Sequence, residues 1–263
     1  MSHLDAIVAA RRVAVTRAKR EVSTRQLARL VEQRVGRRNF FEALRRGRRP
    51  HSPAIIAEFK RRSPSAGDFG ALTDPATAAA AYERGGASAL SIVTEPSAFS
   101  GSKEDLCVAR AACTLPVLCK DFIVDDYQIW EAAAAGADAI LLIVALLSDG
   151  ELRNYAALAR EIGMGALVEV HDIDEARRAV MLGASAIGIN NRDLRTFIVD
   201  TATAARVAAV IGKDILVVAE SGYRDREAIE GCAVANIGAV LVGEALTRAP
   251  DPAAALRRMR GVA

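Results

Sequence analysis

From Pro53 onward the chain alternates short apolar stretches with alanine-rich helical ones, and eight such units can be counted. The apolar stretches read as strands near 54–60, 88–93, 116–119, 138–144, 165–170, 185–189, 215–219 and 237–242; the clearest helical patterns cover 74–84, 125–135, 148–161 and 172–182. An internal echo sharpens the count. Gly86-Ala-Ser-Ala-Leu, Gly136-Ala-Asp-Ala-Ile, Gly183-Ala-Ser-Ala-Ile and the shorter Gly238-Ala-Val precede or open strands two, four, six and eight. Glycine at a helix end supplies the left-handed turn, and alanine lets the next element pack closely. A repeat on alternate strands suits a closed (β/α)8 TIM barrel, whose core layers are filled by alternate strands. An open doubly wound sheet is the runner-up, but its usual Gly-x-Gly-x-x-Gly turn is missing.

With 263 residues, 51% of them apolar and 25% charged, the chain has the length of one α/β barrel domain. The charge is lopsided. Residues 1–50 hold fourteen Lys and Arg against four Asp and Glu, while the remainder is acidic overall. A basic arm on an acidic body raises nucleic acid as a partner. Against it, the arm has no aromatic residue before Phe40, and Leu4, Ile7, Val8, Leu27, Leu30 and Val31 fall at helical spacing. Residues 1–50 therefore read as a basic N-terminal helical extension lying over the barrel mouth, with Phe40, Phe41 and Leu44 leading into the core. No nucleic-acid or membrane partner is expected: the longest apolar run, Ala139 to Leu147, falls well short of the roughly 20 residues a span needs. The N-terminus lacks a secretory pattern, which points to the cytoplasm. Cys107, Cys113, Cys119 and Cys232 lack Cys-x-x-Cys spacing and read as reduced, mostly buried thiols; no metal is expected.

Function is written at the strand ends. After Ile55-Ile-Ala, Glu58 and Lys60 appear two residues apart, so both face one side of the strand. A buried face that turns charged is costly unless the groups pair or the face opens into a wet site. The same change recurs at Lys120, Glu169, Asn190 with Arg192, and Glu220 with Ser221. One such pair is ordinary ion pairing, but the set converging on a barrel's C-terminal rim reads as acids, bases and anion clamps. Ser221-Gly222 and Gly243-Glu244 follow strands seven and eight, where barrels of this kind bind phosphate through backbone N–H groups; Ser63 and Ser65 offer further hydroxyls. Phe122, just after Lys120, can wall an aromatic pocket. His171 is read as leading into the next helix, where it or Asp172 caps. Tyr127 and Trp130 read as packing residues on their helix.

Taken together, Ile56-Ala-Glu-Phe-Lys-Arg-Arg-Ser-Pro-Ser, Leu118-Cys-Lys-Asp-Phe, Gln128 with Gly136-Ala-Asp-Ala-Ile-Leu-Leu, Leu167-Val-Glu-Val-His, Ile187-Gly-Ile-Asn-Asn-Arg-Asp-Leu, Ala219-Glu-Ser-Gly and Leu241-Val-Gly-Glu closely resemble the indole-3-glycerol phosphate synthases. The resemblance extends along the whole chain. It implies a cofactor-free carboxy-lyase of tryptophan biosynthesis, acting on the anionic 1-(2-carboxyphenylamino)-1-deoxyribulose 5-phosphate. A monomer is the state expected, though the resemblance does not supply it. Carried over residue by residue, Lys120 is implied as general acid, Lys60 as the partner of the substrate carboxylate and Glu169 as a proton acceptor. Glu58 and Asn190 position these groups, Arg192 and Glu220 support the polar network, and Ser63, Gly222, Gly243 and Glu244 surround the phosphate. Three positions depart from the family's habit, each by losing positive charge: Ala66, Cys119 and Ala133 stand where lysine or arginine is common. They bear on binding strength and leave room for a paralogue that makes an indole precursor for a secondary pathway. On the same barrel, a phosphosugar isomerase or an aldolase with Lys60 or Lys120 as Schiff-base nucleophile is the rival enzyme; a silent phosphate-binding protein is the rival of another class.

Overall fold

The computed structural model describes residues 3–50, 52–64, 67–69, 74–194 and 196–262; Ser65 and Ala66 lie outside them. Eight parallel strands close into one barrel: β1 (Ala54–Phe59), β2 (Ala89–Val93), β3 (Val117–Lys120), β4 (Ala139–Ile143), β5 (Gly165–Val170), β6 (Ala186–Asn190), β7 (Leu216–Glu220) and β8 (Ala239–Val242). Each strand pairs with the next, and β8 returns to β1 with Ile56 opposite Leu241. The strands are buried on both faces, because helices cover the outside and side chains fill the inside.

Two-residue periodicity divides each strand between two cores. Ile55, Ala57, Leu90, Ile140 and Val168 pack outward against the helices. Ile56, Leu118, Leu141, Leu167, Val218 and Leu241 fill the barrel interior. The next inward position after Ile56 is Glu58, after Leu118 it is Lys120, after Leu167 Glu169, and after Val218 Glu220. The interior is thus apolar below and ionic at its C-terminal rim.

The helix ends explain the repeat. The N–H of Ala87 bonds to the Tyr82 carbonyl, Ala137 to Ala132 and Ala184 to Ala179, each closing a Schellman turn around a glycine of positive φ, Gly86, Gly136 and Gly183. The fourth echo departs from the expected alignment. There the left-handed residue is Asn236 (φ 58), with Ile237 N–H bonding to the Cys232 carbonyl, so Gly238 lies two positions past the turn. Asparagine tolerates this conformation better than other side chains.

The extension runs from one end of the barrel to the other. Helix α1 (His3–Glu21) crosses the rim, where Arg11 forms a buried 3.0 Å ion pair with Asp121. Tyr127, wholly buried, donates to the carbonyls of Ala18 (3.0 Å) and Val22 (2.7 Å) and holds the end of α1. Helix α2 (Thr24–Glu32) starts with a Ser23–Gln26 capping box and packs beside the helix Tyr127–Ala134. Asp138, the polar residue of the second echo, then gathers Arg34 (2.6 Å), Arg110, and the backbone N–H groups of Arg38 and Val117 (3.0 Å each). Below this clasp, α3 (Phe40–Gly47) inserts Phe40 and Leu44 into the cluster that fills the barrel interior. The expectation of an extension over the mouth therefore holds for α1 alone, and α3 plugs the opposite end.

Cys113, Cys119 and Cys232 are buried, whereas Cys107 is exposed. Among the described residues no helix is long and apolar enough to cross a membrane.

Candidate active site

At the C-terminal rim a cavity of about 410 Å³ collects Glu58, Lys60, Ser63, Lys120, Phe122, Glu169, Asn190, Arg192, Glu220, Ser221, Gly222, Gly243 and Glu244. These are all the residues singled out from the strand ends apart from Ser65, and they span most of the chain. The strand register brings them together, since each stands on the inward face of its strand or on the turn just past it.

Lys120 is the centre. Its Nζ lies 3.0 Å from Glu169 Oε2 and 2.7 Å from Glu220 Oε2, below the rim and largely out of water. Burial opposes charge on the ammonium, but the fields of Glu169, Glu220 and Glu58 outweigh it and raise its pKa. The two carboxylates then diverge. Burial works against an ionised Glu169, and Lys120 and His171 overcome it, so its pKa falls. Glu220 shares Lys120 but faces the negative charges of Glu169 and Glu58; burial dominates and its pKa rises to about 7. Glu220 reaches this position because Gly188 on β6 has no Cβ: a methyl there would run into Glu220 Oε1.

On the other side of the mouth, Lys60 Nζ binds Glu58 Oε1 at 2.8 Å and stands over the Phe69 ring at 5.5 Å. Asn190 links the halves of the site. Its Nδ2 donates to Glu169 Oε1 at 3.2 Å, and its Oδ1 accepts from Ser221 Oγ (2.9 Å) and from the Arg192 backbone N–H (3.0 Å). The Arg192 guanidinium donates to the Phe197 carbonyl at 2.9 Å and so ties down the loop that carries Leu194 and Phe197 to the cavity wall.

The corner past β7 and β8 is built from backbone. Ser221 and Gly222 both have positive φ, 68° and 93°. For serine this is a strained state of a kind that gathers at functional sites. A Cβ on Gly222 would stand 2.7 Å from Thr201 Cγ2, so the loop admits only glycine there without a shift. Across the corner, Gly243 is the N-terminal cap of the short helix Glu244–Thr247, and Gly243, Glu244 and Ala245 all line the cavity. Ser63 also lines the cavity.

Several wall residues are not strand-end residues. Leu4 and Ile7 come from α1, and Phe99 from the one-turn helix Pro96–Phe99 after β2, its ring 6.2 Å from that of Phe122. Glu95, wholly buried, holds that turn by accepting from the N–H groups of Ser97 and Ala98 (2.9 and 2.7 Å). Asp121 looks away from the cavity centre to Arg11 and to the Thr94 hydroxyl (2.8 Å). Of the two expected capping candidates it is Asp172 that caps the following helix, accepting from Glu175 N–H at 2.8 Å, while the His171 ring turns back toward Glu169.

Of the three charge-losing departures, Cys119 packs outward with its thiol 3.4 Å from the Thr94 hydroxyl, and burial pushes that thiol up to about 12. Ala133 is wholly buried on its helix, and neither residue lines the cavity.

Residues 4–259 match the family described as indole-3-glycerol phosphate synthase. An indole-3-glycerol phosphate synthase of Desulfosudis oleivorans is 46% identical over 256 residues, covering 97% of each chain. One from Micrococcus luteus is 46% identical over 261 residues, covering 99% of this chain and 97% of its own. Among solved structures, the thiamine phosphate pyrophosphorylase of Pyrococcus furiosus is similar with a TM-score of 0.59 at 15% identity, over 80% of this chain and 95% of that one. That likeness is one of fold.

Proposed function

The chain belongs to the indole-3-glycerol phosphate synthase family, and from that premise we propose how its barrel mouth carries out ring closure, decarboxylation and dehydration of 1-(2-carboxyphenylamino)-1-deoxyribulose 5-phosphate. The observation that carries the reading is the Lys120 ammonium held between Glu169 and Glu220 in the barrel mouth.

The substrate's phosphate sits at Ser221-Gly222 and Gly243-Glu244, with Ser63 closing the corner. Its aromatic ring lies against Phe122, with Phe99, Leu4 and Ile7 completing an apolar wall. Lys60 takes the ring carboxylate. As the ring carbon bearing that carboxylate attacks the ketone, negative charge grows on the ketone oxygen, and Lys120 delivers its proton there. Carbon dioxide then leaves, and the electrons of the broken bond return to the ring. In the last step the hydroxyl formed from the ketone departs as water with a proton from Lys60, while Glu169 accepts a proton from the adjacent carbon. The geometry suits this division of labour: Lys120 starts charged, Glu169 starts ionised, and the two share a hydrogen bond that a substrate oxygen can replace. Asn190 orients Glu169, Glu58 orients Lys60, and Glu220 keeps the ammonium of Lys120 in place.

The extension and the barrel act as one domain, α1 forming part of the pocket and α3 its base plug. We read the enzyme as a cytoplasmic monomer serving tryptophan biosynthesis. Borohydride added during turnover tests the acid role of Lys120 against an aldolase-type mechanism. No covalent adduct is expected; a stable adduct on Lys120 would overturn the assignment.

A further inference from the structure

His171 stands beside the proposed base and takes no part in the steps above. Its Nε2 lies 3.2 Å from Glu169 Oε1, at ion-pair distance though off the line of a hydrogen bond, and Nδ1 lies 3.0 Å from Glu175 Oε2. The backbone N–H of His171 donates to the same Glu175 oxygen at 2.8 Å. Glu175 thus fixes both the ring and the chain that carries it. Glu169 is left with Lys120 on Oε2 and with His171 and Asn190 on Oε1.

The charged groups that face the ring are these two glutamates. Lys120 and Glu220 stand behind Glu169. Asp172 is engaged with the Glu175 N–H, and Arg178, farther along the helix that carries Glu175, is engaged by Asp149 and the carbonyls of Val144 and Leu147. We propose that His171 is a positioning residue for the reaction: held by Glu175, its ring pins Glu169 Oε1 and keeps a positive charge beside it when Lys120 leaves Oε2 for the substrate. The proposal rests on the reading of Glu169 as proton acceptor.

The electrostatics agree with the geometry. Burial disfavours an imidazolium, but the two carboxylates outweigh it and raise the His171 pKa to about 10, so the ring stays charged across neutral pH. The consequence concerns what Glu169 becomes during turnover. With Lys120 bound elsewhere, a carboxylate with no other cation in a buried site would capture a proton from any donor. His171 keeps it ionised, aimed and available until the substrate offers its proton.

The test is the pH dependence of kcat for the full-length protein, followed by indole fluorescence, in His171→Gln and Glu175→Gln. Glu169 must be ionised to accept a proton, so activity rises with pH through its pKa, and losing the neighbouring cation raises that pKa. In His171→Gln the acidic limb should move up by about one pH unit or more, with a fall in kcat at neutral pH of roughly tenfold. In Glu175→Gln the ring loses one of its two anions, so the alkaline fall in kcat should begin at lower pH than in the wild type. A gap left only for packing would lower the rate without moving either limb. Unmoved limbs in both variants overturn the proposal, and should His171→Gln fail to fold, an unmoved alkaline limb in Glu175→Gln does so alone. Glu169→Gln separates the two readings: wild-type turnover there removes the acceptor role and the proposal with it, whereas lost turnover beside unmoved limbs removes only the role of His171.

Discussion

Gly243→Ala probes how tightly the mouth is built. Gly243 has a negative φ of −121°, so a methyl group adds no left-handed strain. It adds a collision: the new Cβ would stand 2.7 Å from Glu58 Oε1 and 3.3 Å from Glu58 Cβ. A carbon–oxygen contact relaxes near 3.3 Å, so Oε1 must retreat by about 0.6 Å. That oxygen is the one bound to Lys60 Nζ at 2.8 Å. Overpacking of this kind costs about 1–3 kcal/mol, and weakening a charge-assisted hydrogen bond costs a fraction of about 1.5–3 kcal/mol more. Urea denaturation should therefore show a loss of about 2 kcal/mol. Glu58 transmits the cost. In a Glu58→Asp background the carboxylate is one methylene shorter, and the same Gly243→Ala change should cost about 1 kcal/mol less. Equal costs in the two backgrounds would mean that the methyl clashes with something other than the Glu58 carboxylate.

Lys120→Ala should lower kcat by more than about a hundredfold, measured by product fluorescence; a near-normal rate removes its acid role. Deleting residues 1–22 should raise KM through loss of Leu4 and Ile7 from the wall while the barrel stays folded, and an unchanged KM contradicts that placement. Deleting residues 1–45 should instead unfold the barrel, since Phe40 and Leu44 are core side chains each worth about 2–5 kcal/mol; a cooperative melt at the original temperature refutes the plug. Three pH windows of stability are expected from the site. Glu220, raised to about 7 when folded, contributes most below its ordinary value of 4.5, and that contribution is lost as pH rises toward 7. Glu169, lowered when folded, contributes above 4.5 and loses its share as pH falls. His171, raised to about 10, contributes below 6.5 and loses its share as pH rises toward 10. Urea melts of Glu220→Gln at pH 5 and pH 7 check the first window: the variant should gain on the wild type as pH rises, and parallel behaviour contradicts it.

Much of the barrel is legible in the sequence because two physical patterns coincide. Period-two alternation marks which strand residues point inward, and the inward series Ile56-Glu58-Lys60, Leu118-Lys120 and Leu167-Glu169 turns polar where the barrel opens. That one change finds the strand-end residues of the cavity. Tertiary partners fall outside such a pattern. Nothing in the periodicity of α1 to α3 says that one helix roofs the mouth while another plugs the base, since an amphipathic face records burial without recording against what. Phe99 escapes because β2 ends without a charged inward residue and hands the wall to a one-turn helix held by Glu95. The Gly238 echo misleads because asparagine at 236 does the turn's work. His171 carried a usable signal, two residues beyond Glu169 and four before Glu175, but capping by the adjacent Asp172 explained the stretch locally. Glu220 reaches Lys120 only because Gly188, on a neighbouring strand, leaves room.

In the proposed reaction the residues gathered around Lys120 act together on one substrate. Incubating the purified protein with 1-(2-carboxyphenylamino)-1-deoxyribulose 5-phosphate and recording indole fluorescence measures this most directly. Steady growth of the indole signal from the wild-type chain, abolished in Lys120→Ala, is the predicted result. A folded wild-type protein that binds this compound and leaves it unchanged, or a Lys120→Ala variant that turns it over as fast, would contradict the account.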